Sequence, residues 1–116
     1  MSESDLYAPI LIAHSHGDCR LFRINAGLAY QGRVVERTPG RLVLSPWYPI
    51  RLAAEGVSDI IGWSNGGLFT AIEVKGPKTR VTAQQLAFID LVKRSGGIAG
   101  IARSVEDAGE LLSRSK

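Results

Sequence analysis

Two runs of strand composition, Val57 to Trp63 and Leu68 to Lys75, meet across Ser64-Asn65-Gly66-Gly67. No other feature of the chain constrains the fold as strongly. Paired glycines beside an asparagine supply the positive φ values that tight hairpin turns require. A loop of three residues, Asn65 to Gly67, sets Ile60 opposite Ile72 and Asp59 opposite Glu73, whereas a two-residue loop would set Asp59 opposite Ile72. The three-residue register is expected. It brings two carboxylates within about 5 Å of one another, measured between β-carbons.

In Thr70-Ala71-Ile72-Glu73-Val74-Lys75 the side chains alternate, so Glu73 and Lys75 share one face while Ile72 and Val74 take the other. Charged groups at the end of an otherwise apolar strand need compensation. A hard divalent cation, Mg2+ or Mn2+, would relieve the repulsion between Asp59 and Glu73, with the backbone carbonyl of Val74 as a further ligand. Such an ion polarises a phosphodiester and activates water, while Lys75 orients that water or offsets charge in the transition state. The competing reading is a surface salt bridge between Glu73 and Lys75 on a solvated strand face.

The remaining elements fit around this hairpin. Ser4 is an expected N-cap for a first helix through Leu6, Ile10, Leu11 and Ala13. Pro9 requires that helix to begin late or to kink. Arg20 to Asn25, Ala29 to Glu36 and Arg41 to Leu44 have strand composition, with Thr38-Pro39-Gly40 as a turn. Thr82 caps a helix running to about Arg94, with an apolar stripe of Leu86, Phe88, Ile89 and Val92. Ile98 to Ala102 reads as a buried strand, and Ser104 with Asp107 opens a last helix carrying Val105, Ala108, Leu111 and Leu112. The sum is an α/β fold, expected as one domain over residues 1–116.

Composition narrows the function classes. Hydrophobic residues at 45% against 22% charged describe a packed domain rather than a disordered tail. The apolar stretch Ala8 to Ala13 is too short to span a bilayer and has no signal-peptide flank, so a cytoplasmic protein without membrane association is expected. A lone Cys19 excludes an internal disulfide and gives no support to a cysteine zinc site. The net charge of +3 leans mildly toward polyanions.

Gly56-Val57-Ser58-Asp59-Ile60-Ile61-Gly62, Ala71-Ile72-Glu73-Val74-Lys75-Gly76 and Thr82-Ala83-Gln84-Gln85-Leu86-Ala87-Phe88 together resemble the signature of the VRR-NUC domain. This is the virus-type replication-repair nuclease branch of the PD-(D/E)xK superfamily. Arg20 to Gly27 and Gly96-Gly97-Ile98-Ala99 extend the likeness over nearly the whole chain, and it is strongest to the free-standing bacteriophage form. The resemblance implies a PD-(D/E)xK restriction-endonuclease-like core with a mixed central sheet flanked by helices. It implies a Mg2+- or Mn2+-dependent endodeoxyribonuclease that hydrolyses branched DNA, of Holliday-junction or flap type, in phage replication, repair or recombination. It further implies a homodimer in the host cytoplasm that needs no small-molecule cofactor. Position by position, Asp59 and Glu73 take the metal-ligand places, Lys75 the catalytic lysine, Gln85 the helix glutamine near the site, and Glu3 the glutamate of the first helix, with Asp5 two residues away.

Several residues keep two readings. Gln85 completes a capping box with Thr82 or serves the site. Arg23 faces DNA or buttresses the carboxylates, and Lys78 and Arg80 contact phosphates or belong to a solvated loop. His14-Ser15-His16-Gly17-Asp18-Cys19 has ligand-type residues without a second ligand pair at a characteristic spacing, so ordinary loop is preferred. Trp47, Tyr48 and Trp63 are read as core or interface aromatics in preference to base-stacking platforms. The runner-up function is a catalytically silent nucleic-acid-binding module that retains the nuclease fold.

Overall fold

The computed structural model describes residues 2–24, 27–51 and 53–114. Its residues gather into two compact units, one from residues 1–24 and 55–116 and the other from residues 25–54.

The larger unit opens with a 3-10 turn, Glu3–Asp5, that runs into helix α1, Tyr7–His14. Pro9 falls in the first turn of α1, where a missing N–H removes no intrahelical bond. The helix therefore begins late. Ser4 does not cap it, since the cap position is Leu6 and Ser2 instead closes the 3-10 turn with Asp5.

Strands β1 (Arg20–Arg23), β4 (Ile60–Trp63), β5 (Phe69–Val74) and β6 (Ile98–Ala102) form one sheet in the order β1-β4-β5-β6, while β2 and β3 belong to the smaller unit. β1 with β4 and β4 with β5 are antiparallel, and β5 with β6 is parallel. A parallel pair needs a crossover, here helix α2, Ala83–Arg94. Helix α3, Val105–Ser113, follows β6. This is an α/β architecture, a mixed sheet flanked by helices, as the resemblance implied.

The helices separate by face. Ile60, Ile72 and Val74 pack with Leu6, Tyr7 and Ile10 of the N-terminal segment and with Ala108 and Leu111 of α3. Ala71 and Ala99 pack on the other face with Ile89 and Val92 of α2. Leu86 departs from the expected stripe of α2 and is half exposed. Strand alternation thus commits Ile72 and Val74 to one core and turns Ala71 and Glu73 toward α2.

The smaller unit is a two-stranded ribbon, β2 (Leu28–Thr38) against β3 (Arg41–Arg51). β3 runs well past Leu44, through Pro46 and Pro49. Proline lacks a ladder N–H and is tolerated at an edge, and both strands of a two-stranded ribbon are edges. Trp47, Tyr48 and Trp63 are all exposed, which corrects the reading of these aromatics as core filling.

Candidate functional site

The hairpin of β4 and β5 has the three-residue register. Ile60 faces Ile72, Trp63 faces Phe69, and Ser64 N–H donates to Leu68 O at 2.9 Å across a loop in which Gly66 and Gly67 both have positive φ. Asp59 stands one residue before β4, at the position that faces Glu73. Its Oδ2 accepts from Val74 N–H at 3.0 Å. The carboxylate thereby replaces a strand partner at the end of β5.

Glu3 completes the cluster. Carboxylate oxygens of Glu3, Asp59 and Glu73 lie within 4.8 Å of one another, the one such group of potential metal-ligand side chains among the described residues. Gly76 lies against the N-terminal turn, where a β-carbon would make ordinary contact, 3.6 Å, with the Glu3 backbone nitrogen. Asp5 turns away and accepts from Ser2 through both its N–H and its hydroxyl. Of the two acidic residues in the turn, Glu3 is the one placed with Asp59 and Glu73.

Glu73 is 1% exposed and Lys75 6%. A solvated surface ion pair is therefore excluded. Burial, then the contact with the Asp59 carboxyl, raises the Glu73 pKa to about 9, against a partial offset from Lys75. Glu73 Oε2 accepts from Gln85 Nε2 at 3.2 Å, while Oε1 is buried without a hydrogen-bond partner. A buried carboxylate oxygen left unpaired beside two further carboxylates is a donor set suited to a hard divalent cation.

Gln85 joins the two roles separated above. Its Oε1 accepts from Thr82 N–H at 2.9 Å, its own N–H donates to Thr82 Oγ1, and its Nε2 reaches Glu73. The capping box fixes the amide, and the amide holds the carboxylate.

Two neighbours escaped the sequence reading. Tyr7 is buried beside the site, and burial together with the charges of Asp59 and Glu3 pushes its phenol up to about 12. The Arg23 guanidinium lies 4.0 Å from the centroid of the Tyr7 ring. Tyr7 lies one helical turn after Glu3, the spacing that could have signalled it. Arg103 donates from Nη1 to Gly76 O, and Lys75 N–H donates to Ala102 O, so the end of β6 anchors the segment that follows Glu73.

Lys78 and Arg80 lie in the exposed segment between β5 and α2. The His14 to Cys19 segment does not assemble a ligand set: His14 Nε2 bonds to Val105 O at 2.9 Å and Cys19 is buried. No helix among the described residues is long and apolar enough to cross a membrane.

No curated protein was found to match the chain. Residues 23–106 match the VRR-NUC domain, a span that runs from Arg23 through both strands of the hairpin, Gln85 and β6. With that match over most of its length, the chain belongs to the VRR-NUC family of PD-(D/E)xK-type nucleases.

Proposed function

We propose that this chain is a Mg2+- or Mn2+-dependent endodeoxyribonuclease that hydrolyses phosphodiesters in branched DNA, of Holliday-junction or flap type. In this reading residues 1–116 act as one nuclease domain, the protein works as a homodimer in phage DNA replication, repair or recombination, and it does so in the host cytoplasm. The observation that carries the reading is the meeting of Glu3, Asp59 and Glu73 around an unpaired, buried Glu73 oxygen.

Glu3, Asp59, Glu73 and the Val74 carbonyl are the ligand set, and the ion supplies Lewis acidity toward the phosphate and the attacking water. Each protein group then has a defined task. Val74 N–H fixes Asp59, and Gln85 fixes one oxygen of Glu73, leaving the other buried without a hydrogen-bond partner. Lys75, on the Glu73 side of β5 and almost shielded from water, offsets charge as it builds on the phosphoryl oxygens. Arg23, Lys78 and Arg80 supply cations for the DNA backbone. Two such sites related by a two-fold axis would cut both strands of a symmetric junction.

Incubation of purified protein with labelled single-stranded, duplex, flap and four-way DNAs, with manganese or with EDTA, tests the reading. Manganese-dependent products from the branched substrates are expected. Intact DNA throughout the panel would leave the silent binding module as the better account.

A further inference from the structure

The ribbon carries a surface that the cleavage chemistry does not use. Its register sets Tyr30 opposite Pro49, Gly32 opposite Trp47 and Leu28 opposite Arg51; beyond one irregularity in the pairing Val34 faces Leu44, and beyond a second Arg37 faces Leu42. Tyr30 and Trp47 meet edge to face at 5.6 Å between centroids, yet are 59% and 58% exposed. With Leu42, Val43 and Leu44 they line an open groove of about 620 Å³. Gly32 lets the two strands approach closely beside the groove, since a β-carbon there would collide with the Pro46 backbone oxygen and come within 3.0 Å of the Trp47 Cα and 3.1 Å of the Leu44 Cβ.

Charge identifies the occupant. Arg51 pairs with Leu28 at one end of the grooved face and Arg37 pairs with Leu42 toward the other. The ribbon's one acidic residue, Glu36, is paired in register with Val43, and its charge is matched by an ion pair with Arg41 at 3.4 Å. A second copy laid on the grooved face would set arginines against arginines. A phosphate backbone is complementary to them, and exposed aromatic rings between cations are the composition that takes unpaired bases. We propose that this face of β2 and β3 binds single-stranded DNA, with bases stacked on Tyr30 and Trp47 and phosphates at Arg37 and Arg51. The assignment rests on DNA being the substrate but not on cleavage, and it gives the enzyme a grip on the unpaired arm of a branched molecule.

The full chain carrying Trp63→Phe leaves Trp47 as its one indole. Titrated in EDTA with oligothymidylate, this protein should show saturable quenching of Trp47 fluorescence, with affinity that falls as salt is raised. An abasic strand of the same length should bind about tenfold more weakly and quench little. By anisotropy, Trp47→Ala and Tyr30→Ala should each lose about tenfold in affinity, with Trp47→Phe closer to wild type. The quenching arm leaves Trp47 in place and stands even if the alanine variants unfold. Absence of quenching, equal binding of thymidylate and abasic strands, binding only to anionic phospholipid vesicles, or self-association that shields Trp47 from acrylamide would each overturn the assignment. Cleavage of branched DNA without quenching overturns the ribbon alone, and quenching without cleavage overturns the nuclease reading alone.

Discussion

Gln85 spans Thr82 and Glu73 with a single amide: its oxygen accepts from Thr82 N–H at 2.9 Å and its nitrogen donates to Glu73 Oε2 at 3.2 Å. The start of α2 and the orientation of the Glu73 carboxyl group are therefore mechanically joined. Gln85→Glu keeps an acceptor for Thr82 but loses the donor to Glu73, so it should retain the helix cap while cleavage falls about 10- to 100-fold. Gln85→Ala should lose both, with about 1 kcal/mol of stability. Melting curves beside initial cleavage rates separate the two effects, and unchanged rates in both variants would confine Gln85 to capping.

Asp59→Asn, Glu73→Gln and Lys75→Ala should each remove cleavage and leave the fold. An asparagine oxygen at position 59 can still accept from Val74 N–H, so loss of activity there reports the charge and not the strand end. For Lys75→Ala the rate should fall about 100- to 1000-fold. Circular dichroism establishes folding, and full activity in Glu73→Gln would sink the proposed mechanism.

The pairing of Asp59 with Glu73 was legible because the loop composition admitted only two registers and one of them set carboxylate against carboxylate. Thr82 and Gln85 were legible for a similar reason, since the capping box is local. Other features depend on tertiary partners that a local pattern does not name. The burial of Lys75 follows from its place after a central strand, and the Arg23 stack requires Tyr7 from a different element. β3 runs on past the strand composition of Arg41 to Leu44 because Pro46 and Pro49 are tolerated at an edge, and nothing local shows that the ribbon has only edges.

Without metal, stability should depend on pH through Glu73. The folded carboxyl keeps its proton up to about pH 9, against 4.5 as its ordinary value, so between those limits the folded state binds more protons than the unfolded chain. Stability then declines as pH rises through that window. In EDTA, wild type should match Glu73→Gln near pH 5 and fall progressively below it toward pH 9. A gap between the two melting temperatures that does not change with pH would mean that Glu73 is ionised throughout.

Manganese should raise the melting temperature of wild type. An ion that binds only the folded state stabilises it by RT ln(1 + [L]/Kd), about 2.7 kcal/mol at a hundredfold excess over Kd, or several degrees for a domain of this size. Because the ion must displace the Glu73 proton, the shift should grow from pH 6.5 to pH 8. Glu73→Gln should respond little. Equal shifts in the two proteins would place the ion elsewhere.

Quaternary structure is open to a direct measurement. Light scattering at micromolar concentration should give about twice the 12.5 kDa of one chain. A single-chain mass both with and without DNA would count against paired cutting.

The three clustered carboxylates come from the N-terminal turn, the approach to β4 and the end of β5, and the glutamine that steadies one of them stands on α2. No contiguous fragment shorter than most of the chain contains them all. A half-made or partly opened molecule thus has no complete cluster, so under the proposed mechanism cleavage waits until the N-terminal turn, the hairpin and the start of α2 have met.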